Sequence, residues 1–223
     1  APGTYTQTAA EQPLTPKANQ RWIAAIPNFM GKPTVKITGT AEAVVVDLDV
    51  SGVVFQGIEI EADHNDVAQL VRVANTAAVT GLSFYNCWFH GNGKTTVDGI
   101  SSVHATNAVS GMYVYKCRFK DIDNGIKIGA AGMAGSVIEE NVFEHRAAAD
   151  VGIALADTTA ALTGYGYVIR HNDFIGLAAA DSVGITIAGT EDTTGLGVIR
   201  NNFFSYMTAA AITIDKLSKS EIN

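Results

Sequence analysis

Asp121-Ile122-Asp123 is the pair of side chains whose type and spacing best suit chemistry. Two carboxylates, one protonated and one ionised, can cleave a glycosidic bond by acid–base catalysis. Arg118-Phe119-Lys120 stands just before the pair and Lys127 follows it, so a scheme using a carboxylate and a cation also has residues. Aspartate is equally a turn residue that caps nearby backbone amides. That reading is favoured for Asp121 and Asp123, which leaves Asp121, Asp123, Arg118 and Lys127 as the catalytic candidates for an enzyme alternative.

Metal ligation is not expected. The five histidines, His64, His90, His104, His145 and His171, show no His-x-x-x-His and no cysteine at ligand spacing. His64 lies in the acidic run Ala62-Asp63-His64-Asn65-Asp66, which reads as a solvated loop before a cation site. His171 reads as a solvated surface residue. The aromatic residues are more informative. Tyr85 and Tyr115 are expected to stack on each other, and Trp88 to lie against Arg118 within reach of a cation–π contact. Exposed Tyr, Trp and Arg together read as a ligand surface or a protein interface, with an inter-strand loop folded over the rings as the alternative.

These residues are positioned by a repeat. Val198-Ile199-Arg200-Asn201-Asn202-Phe203-Phe204 has earlier copies at 168–174, 137–143, 113–119, 83–89 and 54–60. The closing apolar residues fall at 60, 89, 119, 143, 174 and 204. A second phrase recurs between copies as Gly99-Ile100, Gly125-Ile126, Gly152-Ile153 and Gly184-Ile185, with Ala211-Ile212 as a degenerate form. Each repeat therefore offers two apolar pieces, too short for helices and rich in β-branched and aromatic residues. A period near 30 residues signals a solenoid.

Stacked coils would place successive strands about 4.8 Å apart. Phe55, Phe84, Val114, Ile138, Ile169 and Ile199 then form one inward column, and Ile60, Phe89, Phe119, Phe143, Phe174 and Phe204 another. Cys87, Cys117, Asn141, Asn172 and Asn202 share a column between them, where stacked amides can pass hydrogen bonds from coil to coil. The two cysteines fall within disulfide reach of each other but read first as buried thiol fillers. The outward positions of the second phrase are Arg72, Ser101, Lys127, Ala154, Thr186 and Thr213, which reads as a face with two isolated cations.

With these columns the chain resembles the right-handed parallel β-helix family, the pectate-lyase-like superfold, over residues 34–214. The resemblance implies an all-β solenoid of about six to seven coils. Residues 1–33 are expected to be an N-terminal cap or entry segment with Trp22 as its anchor, and residues 215–223 a polar tail. The Ala1-Pro2-Gly3-Thr4-Tyr5 start resembles the turn near the first strand of many such proteins. Enzymes of this fold that act on pectin use Ca²⁺-binding aspartates with an Arg or Lys base, or an Asn-x-Asp, an Asp pair, a Gly-His-Gly and an Arg-x-Lys. Asn-x-Asp and Gly-His-Gly do not occur here, and His90-Gly91-Asn92-Gly93 does not match the latter.

At 223 residues with one repeat the chain reads as one domain, and its formal net charge is −7. The 15 lysines and arginines are scattered, so no basic stripe suits nucleic acid. No apolar run approaches the ~18 residues of a membrane span, and no export signal is read at the start. Bacteriophage spike, fibre and capsid-decorating proteins that this chain resembles use β-helices as rigid blocks, commonly as trimers. The first expectation is therefore a non-catalytic virion protein that stabilises a particle or touches host glycans, without a cofactor, as a homotrimer or docked on virion proteins. The alternative is a secreted or depolymerase-like polysaccharide lyase or hydrolase, which would bring Ca²⁺.

Overall fold

The structure, a computed structural model of the chain, describes residues 3–6, 13–24, 35–39, 43–94, 96–102, 107–129, 132–145, 150–157, 166–176, 182–189, 197–214 and 221–222. Every paired strand among them is parallel to its neighbours, and no helix occurs among the described residues. Three long sheets of eight, seven and eight strands, here sheets A, B and C, run the length of the molecule. The chain visits them in the order A, B, C and then steps one strand along. One coil runs through Arg118–Lys120 in sheet A, Asn124–Ile128 in sheet B and Val137–Glu139 in sheet C, and the next begins at Val142–Glu144 back in sheet A. This is a parallel β-helix. His104 lies outside the described residues.

The long repeat phrase is not one strand but two. Tyr113–Tyr115 belongs to sheet C and Arg118–Lys120 to sheet A, with a turn at Lys116 and Cys117 between them. The reason is a backbone column in the left-handed region: Gly57, Asn86, Lys116, Glu140, His171 and Asn201 have φ of 67, 51, 53, 55, 55 and 54°. One such residue per coil redirects the chain from sheet C into sheet A. A non-glycine residue is strained there, asparagine least and β-branched residues most. Glu140→Asn should therefore raise stability by about 0.5 kcal/mol and Glu140→Val should lower it by about 1–2 kcal/mol, read as shifts in a urea unfolding midpoint. The Lys116–Glu140 ion pair lost in both variants is exposed on both sides and offsets little of this difference.

The inward columns stand in register. Phe89 pairs with Phe119, Phe119 with Phe143, Phe143 with Phe174 and Phe174 with Phe204 across sheet A. Their rings stack nearly parallel at 4.6 to 4.9 Å. Sheet C carries Phe55, Phe84, Val114, Ile138, Ile169 and Ile199 in register, all fully buried. Sheet B aligns Ile100, Ile126, Ile153, Ile185 and Ile212.

Between sheets C and A the amide column forms as a ladder. Asn141 Nδ2 and Asn172 Nδ2 donate to the carbonyls of Val114 and Ile138 one coil back, and also to Asn172 Oδ1 and Asn202 Oδ1 one coil forward. Cys117 extends the column, its thiol 3.4 Å from the Phe84 carbonyl and its N–H donating to Asn141 Oδ1. Cys87 and Cys117 are free thiols. Burial and the neighbouring Cys87 push the Cys117 thiol well above its ordinary value, so it stays protonated and unreactive in the folded state.

Pairing continues at both ends among the described residues. Gly3–Thr6 pairs in sheet A, Leu14 bridges to Val46 in sheet B and Arg21–Ile23 pairs in sheet C, which makes one more coil. Trp22 stacks on Phe55 and so begins the ring column of sheet C. Within the expected polar tail, Glu221–Ile222 pairs with Gly197–Arg200 and extends sheet C.

Candidate functional site

Outward side chains of sheets C and A meet at the corner made by Asn86 and Lys116. Tyr85, Tyr113 and Tyr115 project from sheet C, and Trp88 and Arg118 from sheet A. Tyr113 and Tyr115, two residues apart on one strand, stack at 5.8 Å and 10°. Tyr85 meets both rings edge-on, at 5.5 Å from Tyr113 and 6.5 Å from Tyr115. The expected stack of Tyr85 on Tyr115 is therefore an edge-on contact, and the parallel partner of Tyr115 is Tyr113. All five side chains are half-buried rather than fully exposed. The Arg118 guanidinium lies 4.9 Å from the centre of the Trp88 ring, the cation–π contact expected from the sequence, and its Nη2 holds Glu144 Oε1 at 2.5 Å. Lys116 Nζ sits 4.9 Å from the Tyr115 ring centre.

The tyrosine cluster is held from one side. The Tyr113 hydroxyl donates to Glu139 Oε1, and Arg170 Nε donates to Glu139 Oε2 at 2.5 Å. Burial and this hydrogen bond push the Tyr113 hydroxyl upward, so it remains a donor at all ordinary pH. At Glu139 burial opposes ionisation, but the bonds from Tyr113 and Arg170 outweigh it and hold the carboxyl below its usual range. The folded state thus prefers the ionised form. Its contribution is complete above the unfolded carboxylate value near about 4.3 and is lost as pH falls through the lower folded value. A Glu139→Gln variant should be less stable than the parent at pH 7, and the gap should close as unfolding midpoints are followed from pH 5 downward.

The catalytic candidates each have contacts of their own. Arg118 is engaged by Trp88 and Glu144. Lys127 Nζ pairs with Asp98 Oδ2 at 3.3 Å on sheet B. Asp121 lies in a turn with φ 56° and its Oδ2 is 3.3 Å from His90 Nε2. Asp123 also lies in this turn, its N–H donating to the Val97 carbonyl. The two cations of the sheet B face are not isolated either, since Arg72 Nε holds Asp47 Oδ1 at 3.0 Å. Ser101 on the same face is fully buried and takes part in a network with Gln69, Asp98 and Asn124. A lyase base has to give up its charge to accept a proton, and at Arg72 the hydrogen bond and charge of Asp47 push the guanidinium further above its ordinary value.

One group was missed by sequence reasoning. Glu59 and Glu61 are outward-facing in sheet A yet buried, at 0% and 6% exposure. In-register pairing sets His90 directly beside Glu61. His90 Nδ1 lies 3.5 Å from Glu59 Oε1 and 4.0 Å from Glu61 Oε1, while its other nitrogen faces Asp121. Donor atoms of Glu59, Glu61 and His90 all lie within 4.8 Å of one another. The signal in the sequence was the Glu-x-Glu alternation one repeat before His90, which reads as a solvated strand face until the coils are aligned.

Compared with protein-family models and with curated proteins, the sequence matches none.

Proposed function

We propose that this β-helix is a non-catalytic structural and adhesion block of a bacteriophage-type virion, whose Tyr85, Tyr113, Tyr115, Trp88 and Arg118 corner contacts host-surface glycans. The observation that carries the reading is that corner. Aromatic faces, a guanidinium and an ammonium are presented side by side on neighbouring coils, with Tyr113 fixed by Glu139 and Arg170. Rings offer apolar area to the C–H faces of sugars, and the cations suit acidic ones. A preorganised platform loses little entropy on binding. Further support comes from Arg118, Lys127 and Asp121, each already engaged elsewhere, and from the rigidity of a continuous parallel core, which suits a particle component.

The experiment is calorimetric titration of the purified chain with acidic and neutral bacterial surface oligosaccharides, combined with solution mass by light scattering. Tyr115→Ala and Trp88→Ala should each weaken glycan binding by tenfold or more while the far-ultraviolet spectrum is unchanged. A trimeric mass would support assembly on a particle. Binding that is indifferent to both substitutions would remove the glycan-contact reading. Release of new reducing ends or unsaturated sugars, lost in Asp121→Ala, would transfer the chain to the polysaccharide-cleaving alternative.

A further inference from the structure

We infer that Glu59, Glu61 and His90 form a binding site for a divalent transition-metal ion of the Zn²⁺ class, with Asp121 as the residue that orients His90. The inference does not rest on the glycan reading, although the site adjoins that corner: Glu59 pairs in register with Trp88, and His90 lies two residues along the same strand.

The donor set is one imidazole nitrogen and two carboxylates, which suits zinc-like ions better than the all-oxygen preference of Ca²⁺ or Mg²⁺. The geometry is that of ligands around a shared centre rather than of direct pairing. Atoms bound to one ion at about 2.0–2.2 Å stand roughly 3–4 Å from each other, and His90 Nδ1 is 3.5 and 4.0 Å from its two carboxylate oxygens. A charge-assisted hydrogen bond from an imidazolium would close to about 2.7–2.9 Å. His90 Nδ1 is buried and makes no hydrogen bond.

The surroundings complete the argument. A metal-bound histidine usually gives its second ring N–H to a carboxylate, which fixes the tautomer and the ring plane. His90 Nε2 has that partner in Asp121 Oδ2 at 3.3 Å. The Asp121 turn can come this close because residue 91 is glycine. Its N–H donates to the Lys120 carbonyl, and a Cβ there would lie 1.7 Å from the Asp121 carbonyl oxygen. All three ligands sit on strands of one sheet, Glu59 and Glu61 on Ile58–Ala62 and His90 on Trp88–His90, so their positions are fixed by backbone pairing. An ion there would join two coils directly and a third through Asp121.

The test is titration of the metal-stripped full chain with ZnCl₂, and separately with CaCl₂, followed by calorimetry and by melting temperature. Co²⁺ absorption serves as a direct reading of nitrogen and oxygen ligation. The expected result is one equivalent of Zn²⁺ bound in preference to Ca²⁺, with a raised melting temperature. Binding should be lost in His90→Gln and Glu59→Gln, weakened about 10- to 100-fold in Asp121→Asn, and kept in His64→Gln, which removes the nearby exposed loop histidine. Circular dichroism establishes that each variant is folded, and Asp121→Asn carries the test if a ligand variant is not. A folded parent chain that takes up no Zn²⁺, or Asp121→Asn and His90→Gln proteins that bind as the parent does, would overturn the inference.

Discussion

Phe143→Ala should lower the unfolding free energy by about 3–5 kcal/mol, seen as a large fall in the urea midpoint. Phe143 is buried in the middle of the sheet A ring stack, with its centre 4.6 Å from Phe119 and 4.8 Å from Phe174. Truncation removes the apolar transfer term and two stacking contacts together, each worth about 0.5–1.5 kcal/mol beyond area. The upper part of the range is expected because the site is unable to collapse. The ring lies over the glycines of sheet B: a Cβ on Gly125 would stand 2.5 Å from Phe143 Cδ1, and one on Gly152 2.5 Å from Phe174 Cδ1. On that side the ring meets glycine backbone, which has no side chain to swing into the cavity. A compensating Gly125→Ala does not restore stability, because the same Cβ would also lie 2.6 Å from the Gly152 carbonyl oxygen, which is backbone. A Phe119→Ala, Phe143→Ala double variant should cost less than the sum of the two singles, since they share one stacking contact.

This interlock explains what was legible in the sequence. The Phe column and the Gly-Ile phrases were each visible, because every coil must place an apolar residue at the same inward point. Their dependence on each other was not, because residues 143 and 125 meet across the coil interior and the spacing carries no mark of it. The third strand per coil was hidden for a different reason. The turning positions are held by Lys116, Glu140 and His171 as well as by Asn86 and Asn201, and lysine and glutamate do not announce a left-handed turn. The aromatic corner was read correctly for Trp88 and Arg118, whose contact follows from register alone. It was incomplete for the tyrosines, because Tyr113 reads as the opening residue of a strand rather than as an outward ring. Glu59, Glu61 and His90 stayed unread because exposed-looking alternation on a strand normally means solvent. Only the burial of Glu59 and Glu61 in the folded chain distinguishes them.

Asn172→Ala should cost about 3 kcal/mol, with each buried group left without its partner contributing about 1–3 kcal/mol. Asn172 and Asn141 are both fully buried. Asn172 Oδ1 accepts from the Asn141 backbone N–H and from Asn141 Nδ2, and Asn172 Nδ2 donates to the Ile138 carbonyl and to Asn202 Oδ1. Deleting the amide removes all four bonds in a place water does not reach. Asn202→Ala should cost less, because Asn202 is only half-buried and its loss leaves Asn172 still bonded to Ile138 and Asn141. The chemistry of the ladder ranks the remaining substitutions. Asn172→Cys keeps a weak donor for Ile138, as Cys117 does for Phe84, but loses the acceptor for Asn141. Asn172→Asp keeps the acceptor but turns the donor into an oxygen facing two others, the Ile138 carbonyl and Asn202 Oδ1. Buried without a cation, that carboxylate is the worst of the set. Urea midpoints should therefore fall in the order Asn, Cys, Ala, Asp. An aspartate variant as stable as the parent would mean that backbone pairing alone holds these coils in register and that the amides merely fill space.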